Sequence, residues 1–150
     1  LLAIGAAAAL AGCASSRSRG KIVVPSGWPV DPGVAAMSSD FGERRGGSWH
    51  TGLDLRAPKG TPVWATADGK VVVAEREGAY GRTVVVDHGS GYTTRYAHLR
   101  RIKVERGERV KRGEVLGTVG ESGNAGGVHL HYEVLRDGQP VDPRPYLGGG

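Results

Sequence analysis

The stretch that most constrains the fold is Val128-His129-Leu130-His131-Tyr132-Glu133-Val134, where apolar and polar residues alternate with period two. That period belongs to a half-buried β-strand and not to a helix. Leu130, Tyr132 and Val134 should face a core, and His129, His131 and Glu133 should share the opposite face. Same-face residues stand about 6.6 Å apart along a strand, close enough for two imidazoles to serve one small site. A lone His-x-His is as readily a surface or packing pair, so the reading depends on partners elsewhere in the chain.

Two upstream segments supply them. His50-Thr51-Gly52-Leu53-Asp54 offers an imidazole and a carboxylate, and Tyr96-Ala97-His98-Leu99 offers a further imidazole. Two histidines and one aspartate, with a fourth position open to water, make the ligand count of a catalytic zinc site. On a straight strand the Cα atoms of His50 and Asp54 would lie about 13 Å apart, too far to share an ion. The chain should therefore bend near Gly52, with His50 just before a strand and Asp54 inside it.

The remainder reads as all-β. Glycine numbers 26, aromatics make up 6%, and no long amphipathic helical pattern follows the first dozen residues. Strands are expected over 63–65 and 69–74 around an Asp68-Gly69 turn, over 82–87, and over 92–98. Short strands and tight turns should fill 110–119. Strict alternation puts Tyr92, Thr94, Tyr96 and His98 on one face, with Tyr96 beside His98 at a cleft floor. His88 lies in turn-like sequence and is assigned to a hairpin. Trp49 is read as core filling. Glu133 could orient a histidine, but a surface position is the expected one.

H-T-G-L-D, Y-A-H-L and H-L-H-Y-E-V, set among Ala57-Pro58-Lys59-Gly60-Thr61-Pro62-Val63 and Arg109-Val110-Lys111-Arg112-Gly113, closely resemble the lysostaphin/LytM-type zinc metallopeptidases. The resemblance spans roughly Ser38 to Leu147. It implies a compact antiparallel β-sandwich, or barrel-sandwich hybrid-like domain, with an open substrate groove. It also implies a monomeric enzyme that cleaves peptide cross-links of bacterial peptidoglycan. Position by position, His50, Asp54 and His131 become the zinc (Zn2+) ligands, and His98 and His129 the catalytic pair flanking the attacking water. The loop before the last ligand departs from the family pattern, with Ala125, Gly126 and Val128 where Ser, Thr and Pro are common. The rival implied by the same family is a non-catalytic LytM-like activator of a cell-wall amidase. Its members have typically lost zinc ligands, whereas every ligand position is filled here. The G-x-x-V-x-x-G-x-x-L-G rhythm around Gly107 to Gly117 is shared with lipoyl and biotinyl carrier domains and bears on fold alone.

Residues 1–12 are uncharged and apolar, too short to span a bilayer, which takes about 20 residues. They fit the apolar part of a signal peptide without its initiator and basic start. Leu10-Ala11-Gly12-Cys13 resembles a bacterial lipobox, and Cys13 is the expected lipidation site, anchoring the chain in a membrane. Ala14 after it leans towards the outer membrane, facing the periplasm. Residues 13–34 are then a tether with a reach of roughly 25 Å, residues 35–147 the catalytic domain and 148–150 a tail. Ile22-Val23-Val24 and Trp28-Pro29-Val30 are the parts of the tether that could instead dock as an edge strand. The net charge of +5 favours polyanions. Without an aromatic platform or recognition motif, nucleic acid is not an expected partner. The expected substrate bond joins D-Ala to diaminopimelate, with glycine bridges as the alternative.

Overall fold

The computed structural model describes residues 20–148, so Cys13 and the signal-peptide stretch lie outside the described residues. The strands are β1 (Ala36–Ser39), β2 (Arg44–Arg45), β3 (Ser48–Trp49), β4 (Leu53–Arg56), β5 (Pro62–Trp64) and β6 (Gly69–Glu77). After a 3-10 turn at Gly78–Tyr80 come β7 (Gly81–Asp87), β8 (Tyr92–Ile102), β9 (Arg109–Val110), β10 (Val115–Val119), β11 (Leu130–Arg136), β12 (Gln139–Val141) and a short α1 (Arg144–Leu147). The molecule is nearly all-β, as expected, with its strand pairs antiparallel and its sheet open.

The path β1-β4-β11-β8-β7-β6-β9 runs edge to edge. At its centre β8 changes partner along its length. Tyr92 to Ala97 pair with β11, and Leu99 to Ile102 pair with β10, which in turn carries β5. The two strands flanking Asp68-Gly69 do not form the expected hairpin. β5 pairs with β10, and β6 with β7 and β9.

The alternation in β11 holds: Leu130, Tyr132 and Val134 are fully buried, with Leu53, Leu55, Leu99 and Leu116 beside them. Each such side chain contributes about 1.5–3 kcal/mol by leaving water. The phenol oxygens that enter this core are satisfied: Thr66 donates its N–H to Tyr96 at 3.0 Å, and its hydroxyl lies 2.8 Å from that of Tyr132. Gly52 provides the bend before β4. A Cβ there would lie 2.3 Å from the Tyr132 carbonyl oxygen, so only glycine lets the two backbones approach. The second half of the supposed tether docks without forming a strand. The Trp64 N–H donates to the Pro29 carbonyl at 2.7 Å and Val30 is fully buried, whereas Ile22 is exposed.

Candidate metal centre

β4 and β11 are adjacent, and their register sets His131 opposite Asp54. His50 reaches the same point from two residues before the Gly52 bend. The result is a triangle of donor atoms: His50 Nε2 is 3.1 Å from Asp54 Oδ1 and 3.2 Å from His131 Nδ1, and His131 Nδ1 is 3.0 Å from Asp54 Oδ1. Ligands about 2.0–2.1 Å from a tetrahedral ion stand roughly 3.3–3.4 Å from one another, so the triangle has the size of one face of such a site. All three residues are buried.

The chemistry of the donors fits a cation as well as their spacing does. His50 Nδ1 lies 2.6 Å from the Asp40 carbonyl and His131 Nε2 lies 2.8 Å from Glu133 Oε1. Each acceptor takes a ring N–H, which leaves His50 Nε2 and His131 Nδ1 with lone pairs aimed inward, as metal-binding histidines require. Burial alone would lower the pKa of His131; hydrogen bonds to Asp54 and Glu133 reverse this and raise it. Two carboxylates that favour an imidazolium favour a metal cation at the same spot. Asp54 shows the complementary effect. Burial would raise its pKa, but the contact with the His131 ring, the hydrogen bond from Arg45 and the nearby rings of His50 and His129 hold it far below the usual carboxylate range.

His98 and His129 stand on the open side, their rings 4.9 Å apart, with His98 6.1 Å from His131. The expected alternation in β8 fails here. Tyr96 faces the core, fully buried, and His98 faces the cleft because its φ of +60° turns the strand over at the point where β8 changes partner. Two steps along β7 (82 to 84) match three along β8 (96 to 99), so the extra residue is a bulge that re-aims one side chain. His98 Nδ1 lies 2.7 Å from the Ser122 carbonyl and His129 Nδ1 2.9 Å from that of Gly127. Both rings therefore direct Nε2 at the cleft, and His129 Nε2 is 3.6 Å from Asp54 Oδ1. Burial lowers the His98 pKa, and the neighbouring His129 and His131 add to this against the Ser122 carbonyl. Two adjoining hollows of about 300 and 350 Å³ share Arg45, His98 and Asn124 and make the cleft.

Two sequence expectations are corrected. Glu133 is 1% exposed and not a surface residue: Thr51, Tyr80 and Arg95 donate to it at 2.6, 2.8 and 3.0 Å besides His131. Its place on the histidine face of β11 was the available signal. Trp49 is 64% exposed at the cleft rim, 5.6 Å from the Arg44 guanidinium, because the β2-β3 hairpin stands clear of the core. Arg45, which no motif marks, donates to Asp54 Oδ2 at 2.7 Å and leaves Oδ1 for the triangle. His88 sits at the β7-β8 hairpin, buried, with Nδ1 2.8 Å from the Asp68 carbonyl and Nε2 2.8 Å from the Thr94 hydroxyl.

A buried His-Asp-His triangle beneath an open cleft with two further imidazoles is a donor set of the metal-dependent hydrolases as a class. The chain belongs to peptidase family M23, whose sequence profile matches residues 48–143. It is 45% identical over 123 residues to the DD-carboxypeptidase/endopeptidase Mpg of Neisseria meningitidis serogroup B, covering 78% of this chain and 28% of that protein. It is 37% identical over 123 residues to the murein hydrolase activator EnvC of Escherichia coli, covering 81% of this chain and 28% of EnvC. The structure superimposes on a zinc-containing peptidase from Vibrio cholerae with a TM-score of 0.75 and 36% identity, covering 84% of this chain and 40% of that one. The chain thus spans under a third of the length of these curated relatives.

Proposed function

We propose that the chain is a zinc-dependent endopeptidase that hydrolyses peptide cross-links of bacterial peptidoglycan, the bond between D-Ala and diaminopimelate in particular. The observation that carries this reading is the donor triangle with two cleft-facing imidazole nitrogens beside it. His50, Asp54 and His131 would hold the zinc, and Arg45 and Glu133 would fix the carboxylate and the imidazole in place. A zinc ion held there supplies Lewis acidity, which acidifies water and polarises a carbonyl.

The two open-side histidines divide the proton work. His98, kept neutral by burial, accepts the proton of the attacking water on Nε2 and can return it to the leaving amine. His129, with a proton on each ring nitrogen, donates its Nε2–H to the carbonyl oxygen as charge develops on it. Ser122 and Gly127, by accepting the Nδ1 protons, fix which nitrogen of each ring does this. The domain would act in the cell envelope, held to a membrane through lipid on Cys13 after removal of a signal peptide. Mass spectrometry of the envelope-extracted protein would show an acylated N-terminal cysteine, and an unmodified thiol would refute the anchor.

The likeness to EnvC supports a second reading, an activator of a wall amidase. Digestion of diaminopimelate-type sacculi by residues 20–150, with and without chelator, separates the two. Cross-linked muropeptide dimers should give way to monomers, stop doing so under chelation and resume on adding zinc. An unchanged dimer fraction with one zinc bound per chain would favour the activator. His98→Ala and His129→Ala variants that both cut the wall at the wild-type rate would sink the mechanism.

A further inference from the structure

Arginines of β6, β7 and β8 gather at a place the cleft does not use. Arg76 and Arg82 are directly opposite each other in the β6-β7 ladder, so both rise from one face of the sheet. Arg100 and Arg101 follow Leu99, the residue opposite Arg82 in the β7-β8 ladder. With Glu75 and Ile102 these four arginines line a groove of about 710 Å³. Like charges facing across a ladder oppose sheet formation. Arg45, Arg95 and Arg144 each lie against a carboxylate, but none of these four does among the described residues. Lys59, at the near rim, is occupied by Glu121 at 2.8 Å.

The groove runs towards the cleft. A hollow of about 320 Å³ shares Arg76, Arg82 and Arg100 and is bounded by Gly120 to Gly123. The carbonyl of Ser122 in that loop holds His98, and Asn124 already lines the cleft. One loop therefore separates the arginines from the histidines.

We propose that this groove is a second binding site, an exosite for the free carboxylates of wall peptide lying beyond the bond held in the cleft. It rests on the reading of the cleft as a peptidoglycan endopeptidase site. A guanidinium takes a carboxylate in a two-pronged hydrogen bond, and diaminopimelate-type stem peptides carry several. Continuity with the cleft favours an anion tethered to the scissile peptide, because the second contact is then intramolecular and the linkage raises its effective concentration.

The test uses the zinc-loaded chain, wild type and R76Q/R82Q, with R106Q/R109Q as a basic control. Brief cosedimentation in the cold is read with intact sacculi, with sacculi whose carboxylates have been amidated, and with anionic phospholipid vesicles. R76Q/R82Q should bind intact sacculi about tenfold more weakly, with an unchanged or raised melting temperature. Amidation should weaken the wild type to the same extent and the variant little further, and the control should match wild type. The exosite is overturned if R76Q/R82Q binds intact sacculi as wild type does, if its deficit persists in full on amidated sacculi, or if the deficit is confined to vesicles. Binding is read in the cold without cleavage and the same sacculi are then warmed, so an arginine-dependent binding difference on a wall that stays uncut after warming faults the endopeptidase reading and leaves the exosite standing.

Discussion

Glu133 takes four donors while almost wholly out of water. Burial pushes its pKa up, yet the hydrogen bonds from His131, Thr51 and Tyr80 pull it down to about 2. A carboxylate that stays charged there keeps the proton on His131 Nε2 and the lone pair on Nδ1. Glu133→Gln preserves the shape and removes the charge, so zinc affinity should fall by roughly 10–100-fold, as read by competition with a chromophoric chelator. Unchanged affinity would leave Glu133 a packing residue. His88 gives a separate prediction about pH. Burial lowers its pKa below the ordinary 6.5, against the pull of the Asp68 carbonyl. Below pH 6.5 the unfolded chain takes up a proton that the folded chain refuses, so its contribution is complete above 6.5 and erodes as pH falls towards the folded value. The stability gap between wild type and His88→Gln should therefore narrow from pH 7.5 to 5.5 in urea melts. A constant gap would contradict the assignment.

At the scale of elements the site depends on where β8 changes partner. The bulge that turns His98 into the cleft is supported by the loop carrying Ser122, and that loop is pressed against the start of β7. Gly123, at φ +73°, sits so close that a Cβ would lie 2.3 Å from the Gly81 nitrogen. Gly123→Ala should cost about 1–3 kcal/mol in stability. It should also lower wall cleavage by more than tenfold by shifting the acceptor that orients His98. Activity loss no larger than the unfolded fraction explains would show that the loop is scaffold alone.

For the whole molecule, the segment before β1 belongs to the domain from Ser26 onward. Ser26 and Gly27 donate to the Thr66 and Tyr146 carbonyls at 2.9 Å, and Val30 enters the core. A chain starting at residue 25 should melt with the longer one. Val30→Ala should cost about 2 kcal/mol, and a chain starting at residue 35 should lose more. Equal melting points for all of these would mean that the docked segment adds nothing.

Much of this molecule was legible in its residues. The period-two pattern of 128–134 identifies a strand and its core-facing residues because side-chain direction in a strand is a local property, although the histidine face proves buried too. The spacing of His50 and Asp54 demands a bend for reasons of chain length alone. The motifs carrying His98, His129 and His131 mark the chemistry without any coordinates. What the residues could not reveal are relations between distant segments. The burial of Glu133 depends on Thr51, Tyr80 and Arg95 arriving from three other parts of the chain. The outward turn of His98 exists because β8 exchanges β11 for β10, and Arg45 reaches Asp54 across a hairpin that no motif marks. Alternation is encoded one residue at a time, whereas a bulge, a buried carboxylate and an arginine groove arise only when the sheet brings strands together and the burial of apolar surface decides which pairings persist.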